Sequence, residues 1–354
     1  MTLAWWPHTT RRSVASFRLR CWQIVTELQR RGVQAGLFDA ARPPQVLVLS
    51  KRYDADSLAT ATELRARHGT RLVLDLCDNH FFDDSGDAVW QRRRDNLCAA
   101  VRAVDRVVAA TPALADEVRV QAGQPVDVRV VGDAAEAPWL PGTAARLRHP
   151  LAELALRRLA QALAPHQVPP GRRLVWFGNH GSGYAEGGMA DLSKLRSLLE
   201  QAQQDAPLSL TVISNHRGKF EQLVQAWRLP THYLAWHPAT ISRALQLHDV
   251  AVIPIGLNPF TLCKTNNRVA TAFLHGLAVV ADTIPSYTEF ADSAVLDDWG
   301  PGLHRLLHDS AWRQQRLALG QQRVRDHWNL PHIVDQWQQA LGGLPPGPAS
   351  TAQA

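Results

Sequence analysis

The sequence predicts an α/β fold: two Rossmann-like, doubly wound domains in tandem, facing across a cleft. Three observations predict it. Short apolar runs alternate with stretches of helical length, and they do so in two separate series. A proline-rich stretch with six prolines between residues 137 and 172 divides the two series. The length of 354 residues suits two domains, since one domain usually takes roughly 100–200 residues.

The elements follow in order. Leu3–Trp6 is a short apolar run, and Val14–Arg31 is an amphipathic helix that Gly32 ends. Val33–Phe38, Val46–Leu49 and Arg71–Leu76 read as strands, with a helix over Asp54–His68 stopped by Gly69. Asp87–Ala103 is helical and Val107–Ala110 is a strand. Thr111 and Pro112 then supply an N-cap and a first-turn proline for a helix reaching Gln121, and Val128–Val131 closes the series. Trp5 and Trp6 are adjacent in a strand and so must face opposite sides of the sheet.

Residues 141–172 read as an inter-domain connection carrying its own helix, Leu151–Leu163. The second series has strands at Leu174–Phe177, Leu208–Ser214, Tyr233–Ala235, Val250–Ile255 and Ala278–Ala281. Its helices lie at Met189–Gln203, Lys219–Trp227, Ile241–Leu247 and Asn267–His275, with three more near 302–307, 310–326 and 331–341. The expected domains are therefore 1–140 and 173–341, followed by a disordered tail, 342–354, rich in Gly, Pro, Ala and Ser.

Composition excludes several classes. Hydrophobic residues make up 45% and charged residues 20%, which is enough apolar material to build cores rather than remain disordered. There is no apolar run of membrane-spanning length, and Met1–Arg20 lacks the pattern of a secretory signal. The four cysteines are scattered without a CxxC pair, which argues against a disulfide framework or a zinc site and fits a reducing cytoplasm. The net charge of +6 comes from 38 basic residues, only four of them lysine. Residues 1–150 carry 21 basic and 17 acidic side chains and the remainder 17 and 15, so no nucleic-acid stripe stands out.

In doubly wound sheets ligands bind beyond the C-terminal ends of the strands. Three such places carry candidate chemistry. In Asn258–Phe290, Lys264, Asn267 and Arg268 bring donors and positive charge to a helix start, a natural cradle for a diphosphate. The residues alone equally allow a plain helix start, with Arg268 solvated and Asn266 or Asn267 as its cap. Gly178-Asn179-His180-Gly181-Ser182-Gly183 follows a strand, and its glycines let the backbone approach a ligand closely; Arg217 follows the next strand. In the first domain Asp75, Asp78, Asn79 and His80 lie at and beyond a strand end, where a carboxylate and an imidazole could act on an acceptor, cap a helix or hold a cation. Of Arg18 and Arg20, two apart on a helix, at most one faces a site.

The stretch Thr265–Asp282, TNNRVATAFLHGLAVVAD, resembles the donor motif of GT-B-fold glycosyltransferases. Asn267 matches the motif's Asn, Arg268 its Lys, Gly276 its Gly and Ala278–Ala281 its apolar strand; Pro285, Tyr287 and Glu289 resemble the loop that follows. Asp249 resembles the start of the family's penultimate strand, Ser16–Gly32 its first helix and Trp176–Gly183 its glycine-rich loop, so the likeness runs in order over most of residues 1–340. One departure matters. Thr271 and Cys263 stand where many members carry two glutamates, the later of which usually holds the ribose, and Thr271 has no carboxylate to do so.

The resemblance implies a metal-independent hexosyltransferase that moves a sugar from a nucleotide-diphospho-sugar to an acceptor hydroxyl, in cell-surface polysaccharide or glycoconjugate synthesis. The nucleotide sugar is a co-substrate, and no resident cofactor or metal is implied. Gly178, Asn179, His180, Gly181, Arg217, Lys264, Asn267, Arg268, Thr271 and Glu289 are the expected donor contacts, with Lys264 a local substitute for the lost polar contacts. Asp78 and His80 are the candidate catalytic groups. A glycan or lipid-linked acceptor is expected, and no nucleic acid. The expected location is the cytoplasm, with the inner face of the membrane as the alternative place. Two rival functions are a non-catalytic nucleotide-sugar or glycan-binding protein and a sugar-nucleotide epimerase or hydrolase of the same fold.

Overall fold

The computed structural model describes residues 1–342, so the expected tail lies, apart from Gly342, outside the described residues. Two compact units are present, each built on a six-stranded, wholly parallel sheet.

The first sheet comprises β1 (Leu3–Pro7), β2 (Ala35–Leu37), β3 (Val46–Ser50), β4 (Arg71–Leu76), β5 (Arg106–Ala109) and β6 (Val128–Val130), in the order β2-β1-β3-β4-β5-β6. Strands β3 and β5 are buried along their whole length, as expected for central parallel strands covered on both faces. Trp5 packs on one face with Ile24, Leu28 and Trp337, while Trp6 packs on the other face against Phe38, as the alternation requires. The first helix is interrupted by a π-helical turn at Arg18–Trp22, which the amphipathic pattern did not reveal. Local capping is legible elsewhere: Asp54, Asp87 and Thr111 each accept a backbone N–H from the start of their helices.

The second sheet comprises β7 (Arg173–Phe177), β8 (Ser209–Ser214), β9 (Thr231–Ala235), β10 (Val250–Ile253), β11 (Ala278–Ala281) and β12 (Val295–Leu296), in the order β12-β11-β10-β7-β8-β9. The two-residue β12 was not anticipated, because two residues carry no periodicity. The winding reverses between β7 and β10, so the loop after β7 and the helix after β10 flank the switch point.

The division of the chain differs from the expected one. Among the described residues the first unit takes Met1–Ala134, Pro259–Thr265 and 327–342; the second takes Ala135–Asn258 and Asn266–Asp326. Residues 141–172 are part of the second unit rather than a separate connection. Helix Pro150–Ala162 packs on β9, and its Glu153 pairs with Arg243 at 2.9 Å. Helix Leu330–Leu341, expected in the second domain, completes the first, because Ile333, Val334 and Trp337 are fully buried against Trp5 and Ile24. Among the described residues no helix is long and apolar enough to cross a membrane.

Candidate functional site

In the second unit the polypeptide leaves β7 through Gly178 and crosses itself. A Cβ built on Gly188 (φ +85°) would lie 2.7 Å from the Gly181 nitrogen, and one on Gly181 (φ +131°) would lie 3.0 Å from the Gly187 carbonyl. Two backbone segments are thus in direct contact, which only glycine permits. His180 follows β7 with its N–H donating to Asn215 Oδ1 at 3.3 Å, and its ring lies 4.9 Å from that of His216. Burial, Lys219 and His216 push the His180 imidazole below its ordinary range, so it is neutral at pH 7.

Helix Asn267–Leu274 starts on the far side of the switch point, and no side chain caps its N-terminus. The residue placed to cap it, Asn266, is buried and donates to Glu289 Oε1 at 2.7 Å instead. The first amides of this helix are therefore left to another acceptor. Arg268 reaches back over the glycine loop, its Nη1 3.7 Å from where a Gly178 Cβ would stand, and it hydrogen-bonds the buried Tyr287 hydroxyl. Three buried side-chain atoms in these loops have no partner: His180 Nδ1, Asn267 Nδ2 and Ser286 Oγ. Buried polar atoms are nearly always satisfied, so orphans beside these strand ends suit a ligand that completes them.

The expected donor residues thus separate. Gly178, His180, Gly181, Asn267 and Arg268 flank the switch point, Glu289 joins them through Asn266, and Thr271 lies one turn along the helix from Asn267. Asn179 is exposed. Arg217 is also exposed and pairs with Glu221 of its own helix at 2.8 Å. Lys264 groups with the first unit, where it pairs with Asp78.

In the first unit the strand-end loops build a charged cluster. Asp78, just beyond β4, accepts from Lys51 and from Lys264, each at 2.5 Å. Burial alone would raise the Asp78 carboxyl; Lys264 and Lys51 outweigh it and hold the group well below the usual carboxylate range. His80 is buried, and burial and Lys51 hold it well below the ordinary imidazole range. Its Nδ1 hydrogen-bonds the Tyr53 hydroxyl, and its Nε2 lies 3.9 Å from Asp78. At neutral pH the cluster holds two ammonium groups, one carboxylate and a neutral imidazole. Lys51 adopts φ +50°, a conformation a non-glycine residue takes at a cost, and sits directly after β3.

The segment Pro259–Thr265 is bound to this unit by named contacts. Asn79 donates to the Pro259 carbonyl at 3.1 Å, Thr111 to the Cys263 carbonyl at 3.0 Å, and Thr265 to Asp133 at 3.0 Å. Below it lies a buried ion network. Arg20 is 1% exposed and pairs with Asp75 at 2.7 Å and Asp133 at 2.9 Å, while Ser50 donates to Asp75 at 2.7 Å. Arg18 is only half-buried, so of the two arginines Arg20 is the inward one. Lys51, Tyr53, Asp133 and the pairing role of Lys264 escaped the sequence reading. For Lys51 and Tyr53 the available signal was their position just after a buried strand.

No protein-family model matches the sequence, and no curated protein is detectably similar to it. Solved structures are similar in three dimensions. HepE of Anabaena in complex with UDP-glucose superimposes with a TM-score of 0.65 at 13% identity, over 97% of this chain and 100% of that one. TarM of S. aureus gives 0.61 at 9% identity over 90% of this chain, which spans 58% of TarM's length. Trehalose-6-phosphate synthase of E. coli, bound with UDP-2-fluoro glucose, gives 0.55 at 15% identity over 86% of this chain and 74% of that one. The fold is that of the GT-B glycosyltransferases. Within it, the glycine loop and the Arg268 helix occupy the two sides of the second unit's switch point.

Proposed function

We propose that this protein is a glycosyltransferase that moves a hexosyl group from a nucleotide-diphospho-sugar to an acceptor hydroxyl. The observation that carries this reading is the uncapped N-terminus of helix Asn267–Leu274, with Arg268 lying over a glycine loop whose crossing cannot take side chains. Free amides, a helix dipole and a guanidinium together favour a diphosphate. The UDP and UDP-glucose complexes of the structural neighbour HepE support the same ligand class here.

In this reading the acceptor oxygen bonds to the anomeric carbon while the bond to the diphosphate oxygen breaks. Arg268 and the helix amides stabilise the charge that develops on the leaving group, with side chains rather than a metal supplying the positive charge. The first unit holds the acceptor. Asp78, held by two lysines, is a poor proton acceptor and serves as a charged anchor; neutral His80 takes the hydroxyl proton if the transfer inverts. In a retaining transfer the departing diphosphate takes it. The acceptor is a glycan or a lipid-linked glycan used in cell-surface polysaccharide synthesis.

A second reading, a nucleotide-sugar-binding protein without turnover, has its own support: Thr271 supplies no carboxylate for a ribose, and Asp78 is locked in ion pairs. Calorimetry with UDP and a UDP-release assay over a panel of acceptors separate the two. Arg268→Ala is expected to weaken UDP binding about 10- to 100-fold, the loss of one charge-assisted contact. His80→Ala is expected to keep UDP affinity and lose transfer. Unchanged UDP affinity in the Arg268 variant would remove the donor site; binding without release for every acceptor would favour the second reading.

A further inference from the structure

The N-terminal edge of the second sheet, opposite the loops described above, carries a cluster with no part in that chemistry. Helix Pro301–His308 bears His304 and His308 four residues apart on one face, and their rings stack with centroids 4.3 Å apart. Helix Arg196–Asp205 ends beside them, so that one ligand atom each from Asp205, His304 and His308 lies within 4.8 Å of the others. All three residues are exposed. Two imidazoles and a carboxylate are a set that borderline divalent metals use, with a fourth place left for water.

The surroundings favour a cation. Both helices end here, and their C-terminal carbonyls concentrate partial negative charge. One cation already answers it: the buried Arg172 donates to the carbonyls of Ala202 at 2.5 Å, Ala206 at 2.9 Å and Pro207 at 3.1 Å. Its Nη1 also lies 3.1 Å from His308 Nε2. A guanidinium has no acceptor atom, so His308 accepts, which makes it a neutral imidazole with a lone pair on Nε2. That is the form a metal requires. The next turn adds the Arg305–Asp309 ion pair, which is self-neutralised.

We propose that Asp205, His304 and His308 form a binding site for a divalent transition-metal ion of the zinc type, which ties the C-terminal ends of two helices together. Metal–ligand distances of about 2.0–2.2 Å put tetrahedral ligand atoms roughly 3.3 Å apart, so the three side chains close inward on binding. Their exposure leaves them free to rotate. His308 passes from Arg172 to the metal, and Arg172 keeps its three carbonyls. The site is structural, since it sits at the opposite strand ends from Arg268 and the glycine loop.

The full chain, stripped with EDTA and titrated with zinc chloride, tests this by calorimetry and thermal melting. One zinc per chain and a raised melting temperature are expected. His304→Ala and Asp205→Asn each should lose roughly tenfold or more in affinity and lose the zinc-dependent shift, with an unchanged melting temperature in EDTA. His149→Ala, altering another close histidine pair, that with His237, serves as the control and should bind zinc as the unaltered chain does. No stoichiometric zinc uptake would overturn the proposal, as would zinc binding that survives both variants intact.

Discussion

His248 illustrates what a single buried side chain contributes. It is 4% exposed, its Nδ1–H donates to the Ala244 carbonyl at 2.8 Å and its Nε2 accepts from Thr211 at 2.7 Å, so both ring nitrogens are used in the neutral form. Burial pushes its pKa from 6.5 down to about 4. The folded-state value lies below the unfolded one, so protonation favours the unfolded chain. Its contribution is complete above about pH 6.5 and is lost as the pH falls toward about 4. At its limit the effect is about 3 kcal/mol. Urea titrations at pH 7 and pH 4 should therefore show a smaller acid loss in His248→Gln than in the unaltered protein; equal losses would place the acid sensitivity elsewhere. Residues of this kind are hard to read in sequence, because His248 sits between a helix and Asp249 with nothing local to say that its ring is enclosed. Arg268 and Asp78 were readable, because each follows a strand end where a doubly wound fold presents its ligands. The partners of Asp78 were not, since Lys51 and Lys264 are 27 and 186 residues away along the chain.

At the scale of the element, helix Leu330–Leu341 shows local rules and tertiary packing in agreement. Asn329 accepts from the His332 N–H, Pro331 occupies the first turn, and Ile333, Val334, Trp337 and Leu341 recur at helical spacing. That much is written in the sequence, and the helix was expected there. The sheet it covers was not foreseen: Trp337 meets Trp5 edge-on at 5.7 Å, in the core of the first unit. Trp337→Ala should cost about 3–5 kcal/mol. Leu319→Ala, on the exposed side of helix Ser310–His327, should change stability by less than about 0.5 kcal/mol. Denaturant unfolding followed by circular dichroism measures both; a Trp337 variant as stable as the Leu319 variant would show that the helix is dispensable to that core. The first helix fails the local rules in an informative way. Its π-helical turn contains Arg20, whose guanidinium joins Asp75, Asp133 and the carbonyl of Val131, at 2.9 Å for the last. The amphipathic period was right about the helix and silent about the turn that accommodates a buried charge.

For the whole molecule, the first unit is not a continuous stretch of chain. Its core borrows Trp337 from the C-terminal helix and Cys263 from the segment Pro259–Thr265, and Arg106 donates to the carbonyls of Ala340 and Gly342. A fragment of residues 1–140 should therefore not fold as a cooperative unit, although a cut there would have seemed natural from the proline-rich stretch that follows. Near-ultraviolet circular dichroism and urea unfolding of the purified fragment check this; a sharp transition with fixed aromatic signals would show that the returning segments are not required.

The sequence by itself determined the alternation of strands and helices, the two parallel sheets, the caps and stops of the helices, and the strand ends that carry candidate chemistry. Those features follow from periodicity, capping and turn preference, which act over a few residues. Only the tertiary structure decided which unit owns residues 141–172, 259–265 and 327–342, that Lys264 closes on Asp78, and that Asp205 stands beside His304 and His308. Each of those depends on contacts between residues far apart in the chain, and no local rule of spacing specifies where a distant side chain will be buried.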